Sequence, residues 1–445
     1  MIDQAEHSSE AGTSVELFAG GGGLAMAVHE AGFRHLLLNE FAPKACETLL
    51  ANQATPWLGE THIPRQRGEK WPLKGGPVQD LEFAHLRDKV SLLAGGPPCQ
   101  PFSLGGDHKG HEDERNMFPE FFRALREIQP RAFICENVRG LLRPSFRPYF
   151  DYILNELRMP FVEREGSVWE EHNEKLKGLV GIEPADHDER ARRYVVSAIP
   201  VNAADYGVPQ VRHRVIIVGF RMDVYAHIGD ELWEEKFKPR RTHSEAALFQ
   251  QLRDVKSEYW KRHKPVPKHV KQRVAASVPS VDENDEGLTL QPWRTLRDAI
   301  MGDPTRDEKP LPQDGLIDYE QHPKCVVPNH IGWPGARIYP GHTPNLLDRP
   351  AKTVKAGVHG VPGGESVVLL DDGTHRYMTV RETARVMTFP DTWVPGRNVR
   401  RGDQMRQLGN AVPVLLGKRF ATAVADALRY ADSVAAENDG EKEAA

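Results

Sequence analysis

Short apolar runs alternate with longer helical stretches through the first third of this 445-residue chain, and that rhythm limits the fold more than any other feature. Residues 14–18 (SVELF), 35–38, 90–94 (VSLLA) and 132–135 (AFIC) have strand length and little polar interruption. Residues 24–31, 43–52 and 117–128 carry the helical pattern between them. Buried strands separated by helices predict an α/β fold with a mostly parallel sheet and helices on both faces. Residues 215–220 (VIIVGF) read as one more strand, and then the rhythm fails. Residues 221–377 are rich in Pro, His, Gly and charge and are expected to form a smaller, irregular domain. The helical pattern returns at 379–387 and 414–430, so residues 14–220 and 378–431 are expected to build the α/β domain together. Residues 1–13 and 432–445 lack apolar bulk and are expected to be a flexible and a disordered tail.

Composition excludes several classes. No apolar run approaches the roughly 18 residues of a membrane span, and the polar start MIDQAEHSSEAGTS is no secretory signal. Four cysteines without a CxxC pair argue against a disulfide framework or a structural zinc, and for a reducing cytosol. Lys and Arg number 58 against 63 Asp and Glu, so any nucleic-acid binding must come from clustering. Residues 253–273 supply such a cluster, with eight basic side chains, two acids, and Tyr259 and Trp260 among them.

Four groups fall at predicted strand ends. Gly20, Gly21, Gly22 and Gly23 lie between a strand and a helix, where nucleotide-binding folds bring backbone close to a ligand. Glu40 follows twenty residues after Gly20, in position for ribose hydroxyls; by themselves these residues fit a tight turn and a surface acid equally well. The pattern is not GxGxxG, which disfavours a nicotinamide or flavin enzyme. Cys99 sits in GGPPCQPFS, a loop stiffened by Pro97, Pro98 and Pro101. A lone cysteine is more often a small packed hydrophobe, and that is how Cys46 and Cys135 read. Glu136-Asn137-Val138 ends the AFIC strand, and Gln210-Val211-Arg212-His213-Arg214 opens VIIVGF. Strand alternation would send Gln210, Arg212 and Arg214 to one face, suited to a phosphate or a heterocycle. Distinct chemistries converging on one sheet edge are what a site requires.

Together these motifs resemble the DNA cytosine C5-methyltransferase family, of the bacterial restriction-modification type. FAGGGGL resembles its cofactor loop, GGPPCQPFS its catalytic loop, and ENV and QVRHR two further motifs; RPAKT (349–353), RETARVMTFPD (381–391) and GNAVP (409–413) follow in the family order. The resemblance spans about 15–220 and 348–430, while 53–79 and 159–193 look like insertions. It implies a Rossmann-like S-adenosylmethionine fold with a target-recognition domain at 221–377. It also implies a cofactor site at Phe18, Gly20, Gly22, Gly23, Leu24, Glu40, Phe41, Asp80, Leu81, Pro97, Asn410, Ala411 and Val412. Asp80 is assigned there as the adenine-contacting acid.

The implied chemistry accounts for the residue types. Cys99 adds to C6 of cytosine, Glu136 serves N3, Arg214 holds the base carbonyl, and Arg212 steadies a loop or a phosphate. No metal is called for. The target base must leave the stack of double-stranded DNA. Gln100, Ser103, Asn137 and Gln210 are then expected near the base, with Lys261, Arg262 and Lys264 on phosphate and loops such as 329–342 reading bases. A monomer in a bacterial cytosol, associated with the nucleoid, is the expected setting, with room for a cognate endonuclease acting separately. The alternatives are an RNA cytosine methyltransferase and a catalytically silent DNA-binding protein on the same fold.

Overall fold

The strand-length runs avoid polar residues because helices cover both sides of the sheet they form. The computed structural model describes residues 10–98, 116–302, 308–312, 327–333, 335–338, 340, 343–356 and 366–444. In chain order come β1 (Gly12–Leu17), α1 (Gly23–Glu30), β2 (Phe33–Glu40), α2 (Pro43–Ala51), β3 (Ala54–Pro56), β4 (Trp71–Gly75) and β5 (Leu92–Gly95). Then follow α3 (Phe118–Ile128), β6 (Ala132–Val138), α4 (Arg147–Arg158), α5 (Trp169–Val180), β7 (Tyr194–Asn202) and β8 (His213–Arg221).

These eight strands form one sheet in the order β3-β4-β2-β1-β5-β6-β8-β7. Neighbours run parallel except where β8 meets β6 and β7. The order reverses at β1, whose neighbours are β2 and β5, and such a switch point opens a crevice at the strands' carboxyl ends. Period-two alternation sorts the core. Leu93, Phe133 and Cys135 join the layer built with α3 and α4. Leu92, Ala94 and Ile134 join the layer of α1 and the helix Val414–Ala444.

Several boundaries differ from expectation. Gly12 and Thr13 belong to β1, because Gly12 pairs with Phe33. The expected disordered C-terminal tail continues the last helix to Ala444. Its Ala, Glu and Lys residues are good helix formers, and extending a helix adds one hydrogen bond per residue. Val224, Tyr225, Ile228, Trp233 and Phe237 share a core with Phe220 and Leu428, so the boundary expected at 221 cuts through packed structure. Beyond Phe237 a small helical unit closes over Leu248, Leu252, Tyr259 and Trp260. Tyr259 and Trp260 are therefore its buried core, unavailable for stacking on a base.

The helix Leu296–Met301 and the sheet of Asn345–Leu346, Val367–Leu369 and His375–Tyr377 lie against the returning α/β segment, with Leu296, Val368, Met387 and Trp393 in one cluster. Of the two expected insertions, 53–79 contributes β3 and β4 to the sheet edge. The other packs α5 on α4 through Tyr152, Glu156 and His172, with the Tyr152 hydroxyl donating to Glu156 Oε1 at 2.5 Å. Among the described residues no helix is long and apolar enough to cross a membrane.

Candidate active site

The carboxyl ends of β1, β2, β5 and β6 open on one cavity of about 740 Å³. Its floor is the turn after β1. Phe18 there has a left-handed backbone (φ 60°), and Gly22 follows at φ 89°. A side-chain carbon on Gly23 would stand 2.4 Å from the Val412 carbonyl oxygen, so only glycine lets the two segments meet. Glu40, at the end of β2, accepts backbone N–H bonds from Gly20 (2.7 Å, Oε2) and Ala42 (2.7 Å, Oε1). These backbone groups do not exhaust the four lone-pair sites of the carboxylate, which can still accept a hydroxyl. Burial raises the Glu40 pKa, against the lowering effect of the Ala42, Gly20 and Phe41 backbone groups. Phe41 beside it is 70% exposed, a free aromatic face at the cavity wall.

The same cavity is lined by Leu24, Pro97, Asn410, Ala411 and Val412, all expected there. Gly22 supports the turn without lining it. Asp80 and Leu81 do not line it either: Asp80 is exposed and Leu81 is packed into the core under α3. Asp80 ends the short 3-10 turn Val78–Asp80 and Leu81 follows it, which leaves the Asp80 carboxylate open to solvent.

Glu136 and Arg214 face each other across the adjoining wall, on the antiparallel pair β6 and β8. Arg214 Nε lies 2.7 Å from Glu136 Oε1, yet no N–H is aimed at that oxygen, which is buried without a hydrogen-bond partner. The pair is thus a close charge contact with hydrogen-bonding capacity to spare. Arg212 is almost wholly buried and donates to the carbonyls of Val354 (3.0 Å), Gly409 (2.8 Å) and Ala411 (3.0 Å). Burial, with Arg214 close by, pulls its pKa well below the ordinary arginine value. Of the two roles expected for Arg212, its contacts match loop support. Gln210 is buried too: its Oε1 accepts from Val354 N at 3.0 Å. Asn137 donates to the Pro97 carbonyl at 3.0 Å. Both were expected at the DNA: Asn137 lines the cavity while bracing the loop at Pro97, whereas Gln210 is enclosed and braces the Val354 segment.

Cys99, Gln100 and Ser103 lie outside the described residues; Pro98, the residue before Cys99, lines the cavity. Lys261 pairs with Glu258, and Arg262 with Asp298 beside His263. Lys264 shares their stretch of chain. Several wall residues carry no signal that singled them out in the sequence, among them Lys44, Asp403, Arg406 and Gln407, and one of the unexpected ones is a buried acid. Glu16, 1% exposed, lines the cavity with a buried Oε2 that has no hydrogen-bond partner. Burial drives its pKa well up, the Ala25 backbone N–H opposes, and Glu40 adds to the rise. An acid inside the apolar run SVELF was the available signal. Two acids in one pocket suit a ligand carrying positive charge.

A family model described as C-5 cytosine-specific DNA methylase matches residues 12–159 and 188–426. The interval it passes over lies within the second expected insertion. The chain is 30% identical over 433 residues to the Type II methyltransferase M.PspPI of Psychrobacter, covering 95% of this chain and 81% of the relative. It is 29% identical over 421 residues to M.Eco47II of Escherichia coli, covering 93% and 79%. Among solved structures, a Spodoptera frugiperda DNMT2 mutant aligns at TM-score 0.50 and 14% identity, covering 94% of this chain and 99% of that one. The Entamoeba histolytica methyltransferase EhMeth aligns at TM-score 0.50 and 12% identity, covering 94% and 98%. At those identities the two structures speak for the fold.

Proposed function

Because the chain belongs to the C-5 cytosine-specific DNA methylase family, we propose that its cavity holds S-adenosylmethionine beside a cytosine extruded from duplex DNA. The observation that carries this is the meeting of two half-sites in one cavity, Glu40 with the glycine turn and Glu136 with Arg214. The residues fit the cofactor. Glu40 has acceptor capacity left for ribose hydroxyls, Phe41 offers a flat face to the adenine, and a cation in the pocket would draw the Glu16 and Glu40 carboxyls toward their charged forms. When bound, the cofactor supplies an electrophilic methyl group on a sulfonium centre.

The protein's task is to make C5 nucleophilic. The Cys99 thiolate adds to C6, forming a carbon–sulfur bond and pushing the electron pair of the C5–C6 bond toward N3. Glu136 provides the proton at N3, and Arg214 holds the base carbonyl and the Glu136 carboxyl in register. C5 then takes the methyl group. Loss of the C5 proton to water returns its electron pair to the ring and expels Cys99 as thiolate, and N3 hands its proton back to Glu136. Arg212 acts as a positioning residue, tying the segments at Val354, Gly409 and Ala411 to β8.

The Type II relatives support a restriction-modification role; the setting proposed for it is a bacterial cytosol, with a monomer acting on nucleoid DNA and a cognate endonuclease acting separately. Site choice is assigned to the segment after Phe237. Replacing 238–377 with the matching segment of a relative transfers the methylated sequence while methyl transfer continues, read by bisulfite sequencing of plasmid. An active chimera that keeps the original site places the readers elsewhere.

The cofactor half is tested by Glu40→Ala. S-adenosylmethionine affinity measured by calorimetry falls by about 1.5–3 kcal/mol, the range for charged hydrogen bonds, or roughly 10- to 150-fold. Methyl transfer at saturating cofactor suffers less. Unchanged affinity removes Glu40 from the site.

A further inference from the structure

The basic segment at 253–273 is largely engaged in its own fold, with Tyr259 and Trp260 buried and Lys261 and Arg262 in ion pairs. A second basic segment is more open. Residues 396–406 (GRNVRRGDQMR) hold Arg397, Arg400, Arg401 and Arg406 against Asp403 alone, in a chain of net charge −5. Arg397, Arg400 and Arg406 are exposed. The Arg401 guanidinium lies over the Trp333 ring at 5.4 Å and the Tyr377 ring at 5.9 Å. It donates to the Met378 carbonyl, while its buried Nε has no hydrogen-bond partner.

Trp333 is 54% exposed, although the chain leading to it is firmly held. The buried Arg381 binds the carbonyls of Pro328 (Nε, 3.0 Å) and Asn329 (backbone N, 3.1 Å). His330 Nδ1 meets Thr379 Oγ1 at 2.9 Å. A large indole kept half in water on an anchored segment, backed by a cation and flanked by arginines, has the composition of a nucleic-acid stacking platform. The helix Arg401–Asn410 starts at this platform, and its residues Asp403, Arg406, Gln407, Gly409 and Asn410 line the cavity. The platform therefore adjoins the mouth of the site.

We propose that Trp333, backed by Arg401, stacks on a nucleobase of the duplex near the extruded cytosine, while Arg397 and Arg400 contact the flanking phosphates. This rests on duplex DNA being the substrate. It explains why an indole is presented to solvent there and gives the acidic protein a basic contact strip beside its cavity.

The test begins by mapping the methylated site with wild-type protein on plasmid, and then measures binding of a short duplex containing it. Trp333→Ala is expected to weaken binding by about 5- to 150-fold, the range for base–aromatic stacking. Trp333→Phe recovers most of the loss, and S-adenosylmethionine affinity and melting temperature stay at wild-type values. The double variant Arg397→Ala/Arg400→Ala lowers the salt slope of duplex binding by about two. Wild-type duplex affinity in Trp333→Ala overturns the proposal, as does loss of folding in Trp333→Ala together with an unchanged salt slope in the double variant. A drop in oligomer mass on Trp333→Ala, read by light scattering, overturns it in favour of a contact between copies. Wild-type protein that methylates no duplex overturns the DNA reading itself, a failure distinct from all of these.

Discussion

Duplex DNA carrying 5-fluorocytosine at the target position is expected to become covalently attached to the wild-type protein when S-adenosylmethionine is present. The bond should survive denaturing electrophoresis and map to the peptide containing Cys99. The expectation follows from bond order in the cycle. Cys99 leaves C6 only as the C5 hydrogen departs as a proton, and fluorine cannot depart as a cation. Methyl transfer then proceeds, elimination does not, and the carbon–sulfur bond remains. Cys99→Ser should give no adduct and essentially no methylation, since a hydroxyl is far less acidic than a thiol. The other cysteines serve as controls. Cys46 Sγ donates to the Glu40 carbonyl at 3.2 Å, and burial together with Glu40 pushes its thiol up to about 11. Cys135 is fully buried in the core. An adduct on Cys46, Cys135 or Cys325, or wild-type methylation by Cys99→Ser, would overturn the assignment of the nucleophile.

Glu136→Gln should lower the single-turnover rate of methyl transfer by about 10²–10⁴, the contribution typical of a positioned proton donor. The amide keeps the shape of the side chain but cannot hand a proton to N3 as the thiolate adds. Its near neighbour is Arg214, at 2.7 Å, so the substitution also leaves a cation without its counter-charge on the wall. S-adenosylmethionine affinity should hold, because the cofactor groups Glu40, Phe18 and the glycine turn are on β1 and β2 while Glu136 is on β6. The measurement is rapid-quench methyl transfer with saturating DNA and cofactor, with cofactor affinity read separately. A rate within a few-fold of wild type would remove Glu136 from the proton path.

Much of this site was legible in the chain because its parts are local. A glycine turn at the end of a strand, an acid at the end of the next and an acid ending β6 need only strand length and direction to reach one sheet edge. Phe41 came only from the family resemblance, and the structure sets it in the cavity wall beside Glu40. What residues 53–79 form was not legible: they add an extra pair of edge strands, β3 and β4, to the sheet. Short strands such as β3 (ATP) and β4 (WPLKG) carry too little periodicity to announce themselves.

Burial of polar groups was the other blind spot. Gln210, Arg212 and Asn137 look in sequence like groups waiting for a substrate. Each also satisfies a backbone group, and for Arg212 the carbonyls lie 142 to 199 residues further along the chain. Tyr259 and Trp260 look like stacking residues in a basic segment, yet they close a small core.

The sequence alone determined the class of sheet, the edge on which the site would lie and the main chemistry of that edge, because side-chain alternation and turn residues act over a few positions. Only the tertiary structure decided which polar side chains face the cavity and which hold it up. A buried donor or acceptor must find a partner wherever the fold brings one, and that partner's distance along the chain leaves no local trace. The same holds for Trp333: Arg381 and Thr379 anchor the segment that leads to it and Arg401 supplies its cation, all from beyond the irregular segment.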